Sequence, residues 1–214
     1  MEIISHIAIG IPLLPATLGA RNWKFFNSDA RTFTLLTWFI FINGIAAYLV
    51  ERLIGSNMPL FHLYILVETV TLLYILKRLL QPFFPSKISN TTLISFVLLW
   101  LFNVSFGDGI SGYPTYILAV KAALLIIFSA GWFVKVQKEK TVQHPERLFA
   151  FWLSTGVLIY SSGNMLLFTF SNYIFVQRKY VFVAIWDVHA ILVILLYLIY
   201  TIALIWARKN PTSS

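Results

Sequence analysis

Two ionisable residues of this 214-residue chain lie deep inside apolar runs, where a charged group has no water to satisfy it. Glu68 is nine residues into PLFHLYILVETVTLLYILKRLL, and Lys121 is seven residues past Pro114 in PTYILAVKAALLIIF. At helical rise they are roughly 14 Å and 10 Å from the starts of their segments. A carboxyl at that depth suits a ligand, an ion or a proton path, because Ser or Asn would serve as well for simple interhelical bonding. Tyr64, Glu68 and Thr71 follow one another at i, i+4 and i+7, so they are expected on one helix face. Lys121 has two options. It can snorkel its ammonium to the headgroups, or turn inward to neutralise Glu68 or meet an anionic ligand.

Weaker polar signals surround these two. Asn43, Ala47 and Glu51 form one gently drifting stripe, with Glu51 expected in wet headgroups beside Arg52. Asn103 and Asp108 close the segment ending FNVSFGDG, where a carboxylate commonly caps a glycine-rich turn. In the segment that begins FWLSTGVLIYSSGNMLLF and runs on to Ser171, the residues Gly156, Tyr160, Gly163, Asn164, Leu167 and Ser171 share one side. The two glycines admit a neighbouring backbone, while Tyr160 and Asn164 offer a polar handle. His189, Val193, Tyr197 and Tyr200 make an inner stripe in the last segment, and Asp187, about 200° from His189, points elsewhere. His62 reads equally as an interface residue or a ligand contact. The candidate ligand-binding set is Asn43, Tyr64, Glu68, Asn103, Lys121, Tyr160, Asn164 and His189. No metal motif is present, no cofactor is implied, and the histidines are spread over different depths.

The elements that must hold these residues follow from composition. The chain is 59% hydrophobic and 11% charged, with mean hydropathy +0.80 and no cysteine. A water-soluble domain carries about 25% charged residues, so this chain is an all-α integral membrane bundle and one domain over residues 1–214. Apolar segments of spanning length run approximately Ile3–Leu18, Thr32–Leu53, Pro59–Leu80, Ser89–Asp108, Pro114–Val136, Leu148–Phe170 and Val181–Ala207. The first, read as a retained helix rather than a signal peptide, contains Pro12 and Pro15 and is expected to kink.

Orientation follows from the basic residues. With the N-terminus outside, the inner connections carry Arg21, Lys24, Arg31, Lys77, Arg78, Lys87, Lys135, Lys138, Lys140, Arg147, Arg208 and Lys209. The outer ones carry Arg52, Arg178 and Lys179. Twelve against three is a strong positive-inside signal, and it accounts for the net charge of +8 without nucleic acid. Trp23, Trp132, Trp152 and Trp206 near the inner boundary agree. The chain is therefore expected to cross a bacterial inner membrane seven times, N-terminus outside and C-terminus cytoplasmic. The last segment has no lysine for a retinal Schiff base.

The polar candidates fall in the middle or outer half of their segments, above inner halves of Leu, Ile, Phe and Trp. That depth pattern describes a cup open to the outside and sealed below. The runs MPLFHLYILVE, FWLSTGVLIYSSGNMLLF and IWDVHAIL resemble segments of small seven-helix membrane proteins of Bacteroidota, similar to heptahelical sensor domains. The residues that carry the resemblance are Leu60, His62, Tyr64, Glu68, Trp152, Gly156, Tyr160, Gly163, Asn164 and His189. The resemblance carries no activity of its own; by analogy of fold, and with the outer cup, it points to a receptor-like protein rather than an enzyme. Such a protein would sit among membrane lipids, bind a small amphiphilic or polar ligand, and signal to a cytoplasmic or membrane partner. The basic loop KVQKEKTVQHPER offers a docking surface. The alternatives are a small transporter with a midplane site, which the poor match between the two halves disfavours, and a lipid-modifying enzyme, which lacks a nucleophile–base pair at recognisable spacing.

Overall fold

The computed structural model describes residues 2–140, 142–177 and 179–210, with side chains at 2, 3, 5, 166 and 168–185 outside the description. Ser171 and Lys179 therefore lie outside the described side chains, and Arg178 outside the described residues. All regular structure among the described residues is helical. The helices are α1 (Glu2–Gly10), α2 (Leu13–Arg21), α3 (Ser28–Ile54), α4 (Met58–Leu80), α5 (Ser86–Phe106), α6 (Thr115–Glu139), α7 (Phe149–Gln177) and α8 (Lys179–Lys209). Two short 3₁₀ turns, Trp23–Phe25 and Pro145–Arg147, join α2 to α3 and α6 to α7. Five described stretches, in α3, α4, α5, α6 and α8, are long and apolar enough to cross a membrane. The chain is a multi-span helical membrane bundle.

Local chemistry sets the helix ends. Asn27 caps α3 by accepting from the Ala30 amide at 2.9 Å, and Gly55 ends it in the left-handed region at φ 87°. Pro59 occupies the first turn of α4, where its missing N–H costs nothing. The expected first span is two helices rather than one. Pro12 and Pro15 each remove an amide donor, and the helix breaks at Ile11–Pro12.

The helices form a ring in the order α1–α2, α3, α4, α6, α7, α8, with α8 closing back onto α1 and α2. Helix α5 stands outside this ring against α4 and α6 and buries only Ser89, Phe96 and Asn103. The connections after α2, α4, α6 and the start of α7 meet at one end of the bundle. Arg78 pairs with Asp29 at 2.9 Å, an ionic contact without hydrogen-bond alignment. Lys135 donates to the Leu79 and Gln81 carbonyls at 2.9 and 2.7 Å, so a cation sits on the C-terminal end of α4. Asn210 donates to the Arg147 carbonyl at 2.7 Å, and the Arg208 guanidinium lies 5.9 Å from the Phe25 ring centre. The basic residues assigned to the inner loops therefore gather at this one end.

The larger cluster of buried apolar side chains lies in the half of the ring next to the basic end, and a smaller one, Ile65, Phe96, Ile117, Leu118 and Ala122, joins α4, α5 and α6. Phe33, Leu73, Leu76, Leu80, Phe128, Trp132, Phe149, Leu153, Tyr200 and Leu204 belong to the larger one, with Tyr200 edge-on to Phe33 at 4.7 Å between centroids. Helix α3 shows the gradient: its buried residues run from Asp29 to Asn43, and none follows over the remaining turns. Outside, large apolar side chains such as Leu53, Ile42, Phe106 and Ile127 are exposed, while Glu68, Lys121 and Asn164 are buried. That distribution suits lipid, which is as apolar as leucine, so helices associate through packing and internal polar contacts.

Candidate binding cavity

At the other end of the ring the helices part around a cavity of about 370 Å³. Helix α1 supplies Ala8 and Ile9, and Pro12 follows at the break. Helix α3 supplies Ile40, Asn43, Gly44, Ala47, Tyr48 and Glu51, so the Asn43–Ala47–Glu51 stripe faces inward along its length. Phe61 and Tyr64 come from α4, Leu118 and Lys121 from α6, and Tyr160 from α7. Trp186, His189, Ala190, Val193 and Tyr197 come from α8. The mouth lies towards the α3–α4 connection, where Asn57 donates to the Glu51 carboxylate at 3.0 Å. His6 packs edge-on against Tyr48 at 5.8 Å on the same side.

Lys121 turns inward rather than snorkelling. Its ammonium pairs with the Glu68 carboxylate, and both side chains are almost wholly buried, at 3% and 2% exposure. The same ammonium lies 4.9 Å from the Tyr64 ring centre, a cation–π contact strengthened by the lack of water. Only the cation of this pair lines the cavity; Glu68 sits behind it. Tyr64 and Tyr160 lie within electrostatic reach of that carboxylate. A buried pair of this kind is weak evidence of stabilisation, since desolvating both charges offsets much of their attraction.

The polar run in α7 is a joint with α8. Asn164 is fully buried, donates to the Tyr160 carbonyl at 2.8 Å, and through its side-chain oxygen meets His189 Nδ1 at 2.7 Å. His189 thereby stands at the cavity wall, 5.9 Å from the Tyr160 ring and 5.0 Å from the Trp186 ring. Gly156 and Gly163 do admit a neighbour. A Cβ at Gly163 would fall 2.8 Å from Leu192, and one at Gly156 3.1 Å from Ile199, both on α8.

Of the candidate residues, Asn43, Tyr64, Lys121, Tyr160 and His189 line the cavity, and Glu68 and Asn164 form the layer behind them. Asn103 is not brought to this site. It belongs to α5, outside the ring, and donates to Asp108 at 3.1 Å to close the glycine-rich turn. Thr71 leaves the Glu68 face and opens onto a groove shared by α3, α4 and α5. His62 is an interface residue, its Nε2 meeting the Gly112 carbonyl at 3.0 Å. Phe61, Trp186 and Tyr48 were missed as lining residues, although Phe61 and Trp186 each stand three residues before a polar residue that was chosen. Phe61 stacks on both Tyr64 and Tyr113 at 6.1 and 5.7 Å, which ties the α5–α6 turn to the cavity wall.

Tyrosine, lysine and amide donors converge on one wall, and aliphatic and aromatic surface covers the rest, a common pattern for sites that orient an amphiphile. No protein-family model, no curated protein and no solved structure matches this chain.

Proposed function

We propose that the chain crosses a bacterial inner membrane seven times, N-terminus outside, and holds a small amphiphilic molecule in the cavity between α1, α3, α4, α6, α7 and α8. In this reading α1 and α2 together make the first crossing, and the twelve basic residues at one end set the orientation. The observation that carries the binding role is the polar wall: Lys121, Tyr64, Tyr160, Asn43 and His189 face one space from five helices. Groups of this cost at bilayer depth are ordinarily functional. Dense aromatic packing beneath the cavity favours a receptor over a conduit, since a transported molecule would have to pass Phe33, Tyr200 and Phe149. The exposed Lys138, Lys140 and Arg147 at the basic end are the surface through which occupancy would reach a signalling partner.

Native mass spectrometry of the protein extracted from its membrane tests this. Wild type is expected to retain one small molecule per chain. Ala47→Trp, which fills the cavity from α3, is expected to lose it while keeping helical content. Equal retention by the variant would overturn the proposal.

A further inference from the structure

The arrangement of the buried pair also selects the electrical character of the occupant, an inference that rests on the cavity being the binding site. Lys121 lines the cavity and Glu68 does not, so the charged residue on the wall is one whose charge is already balanced from behind. An ammonium has three donors, and one is directed to Glu68. The neighbouring polar groups on the same wall are an amide and two phenols: Asn43, which donates to the Leu60 carbonyl at 3.4 Å, Tyr64, which hydrogen-bonds to Glu68, and Tyr160, which hydrogen-bonds to Tyr64. At the mouth the Glu51 carboxylate is matched by Arg52, whose guanidinium lies 4.7 Å from the ring centre of the cavity-lining Tyr48, so the entry route favours neither sign of charge. An anion against the balanced pair would leave the site with one uncompensated negative charge in a low-dielectric interior, which is strongly disfavoured. A cation would meet the Lys121 face. A neutral head with a carbonyl oxygen disturbs neither balance and accepts the donors that remain.

The geometry points to a neutral, carbonyl-headed amphiphile as the occupant, its oxygen against Lys121 and its tail along the apolar walls towards the mouth. The pair acts as a charge filter: Lys121 supplies donors, and Glu68 removes the attraction for anions that a lone lysine would create.

Three photoreactive probes sharing one decyl diazirine tail test this, with N-methyl amide, sulfonate and trimethylammonium heads. Labelling is read by intact mass and peptide mapping on the whole protein in nanodiscs. Wild type is expected to label with the amide on cavity-lining peptides at least about tenfold more than with either charged probe, the factor that about 1.4 kcal/mol of discrimination produces. Glu68→Gln leaves Lys121 unbalanced, so its ratio of sulfonate to amide labelling should rise at least about tenfold. The double variant Glu68→Gln with Lys121→Gln is neutral again and should exclude the sulfonate as wild type does. It carries the comparison if the single variant does not fold. Wild type or double variant taking the sulfonate as readily as the amide would overturn the charge filter and leave the cavity standing. Absence of cavity labelling by every probe would overturn the binding reading and this inference with it.

Discussion

Removing one partner of the Lys121–Glu68 pair leaves the other charge buried with nothing to balance it. Breaking such a pair typically costs about 3–5 kcal/mol, whereas replacing both members by apolar residues of similar size is often neutral or stabilising. Glu68→Leu or Lys121→Met alone is therefore expected to lower the unfolding temperature strongly, and the double variant to recover most of the loss. A double variant as unstable as the worse single one would mean the pair contributes net stability. From sequence alone Glu68→Gln looks harmless, because the amide preserves shape; the ion pair changes that expectation, since Gln cannot balance Lys121. Asn164 makes a second residue-scale case. Asn164→Ala deletes its buried hydrogen bonds to His189 and to the Tyr160 carbonyl, each typically worth about 0.5–1.5 kcal/mol. A melting temperature equal to wild type would show that this joint is dispensable.

At the scale of elements, α7 meets α8 across its glycine face. Gly163→Leu must displace Leu192, and overpacking of this kind typically costs about 1–3 kcal/mol. The control belongs at Ile159, which is 42% exposed, and not at Val157. Val157 looks lipid-facing by position, yet it is 1% exposed within the core. Gly163→Leu is expected to melt well below wild type and Ile159→Leu close to it, and equal melting of both would mean α7 and α8 do not pack as described. The break between α1 and α2 is a second element-scale feature. Pro12→Ala restores an amide donor and favours one continuous helix, which would move Ala8 and Ile9 at the cavity wall. Ligand retention in native mass spectra should fall in this variant even where thermal stability rises, and retention at the wild-type level would separate the break from binding.

For the whole molecule, orientation is open to direct test because the chain has no cysteine of its own. Single cysteines at Ser56 and Lys138, both exposed at opposite ends of the bundle, should react differently with a membrane-impermeant thiol reagent. The Ser56 site is expected to label from outside intact cells and the Lys138 site only after lysis; the reverse would invert the proposed topology. Depth was legible in the sequence. A helix of fixed rise must match an apolar slab, so hydropathy located the five long apolar helices, the basic residues located the charged end, and both set how far along their helices Glu68 and Lys121 sit. Rotation and neighbour choice were not legible. Lipid and protein interior are equally apolar, so hydropathy does not say which side of a helix faces inward, and packing between particular pairs decides it. Only the tertiary structure turned Lys121 to Glu68, joined Asn164 to His189, buried Val157, and placed α5 outside the ring with Asn103 away from the cavity.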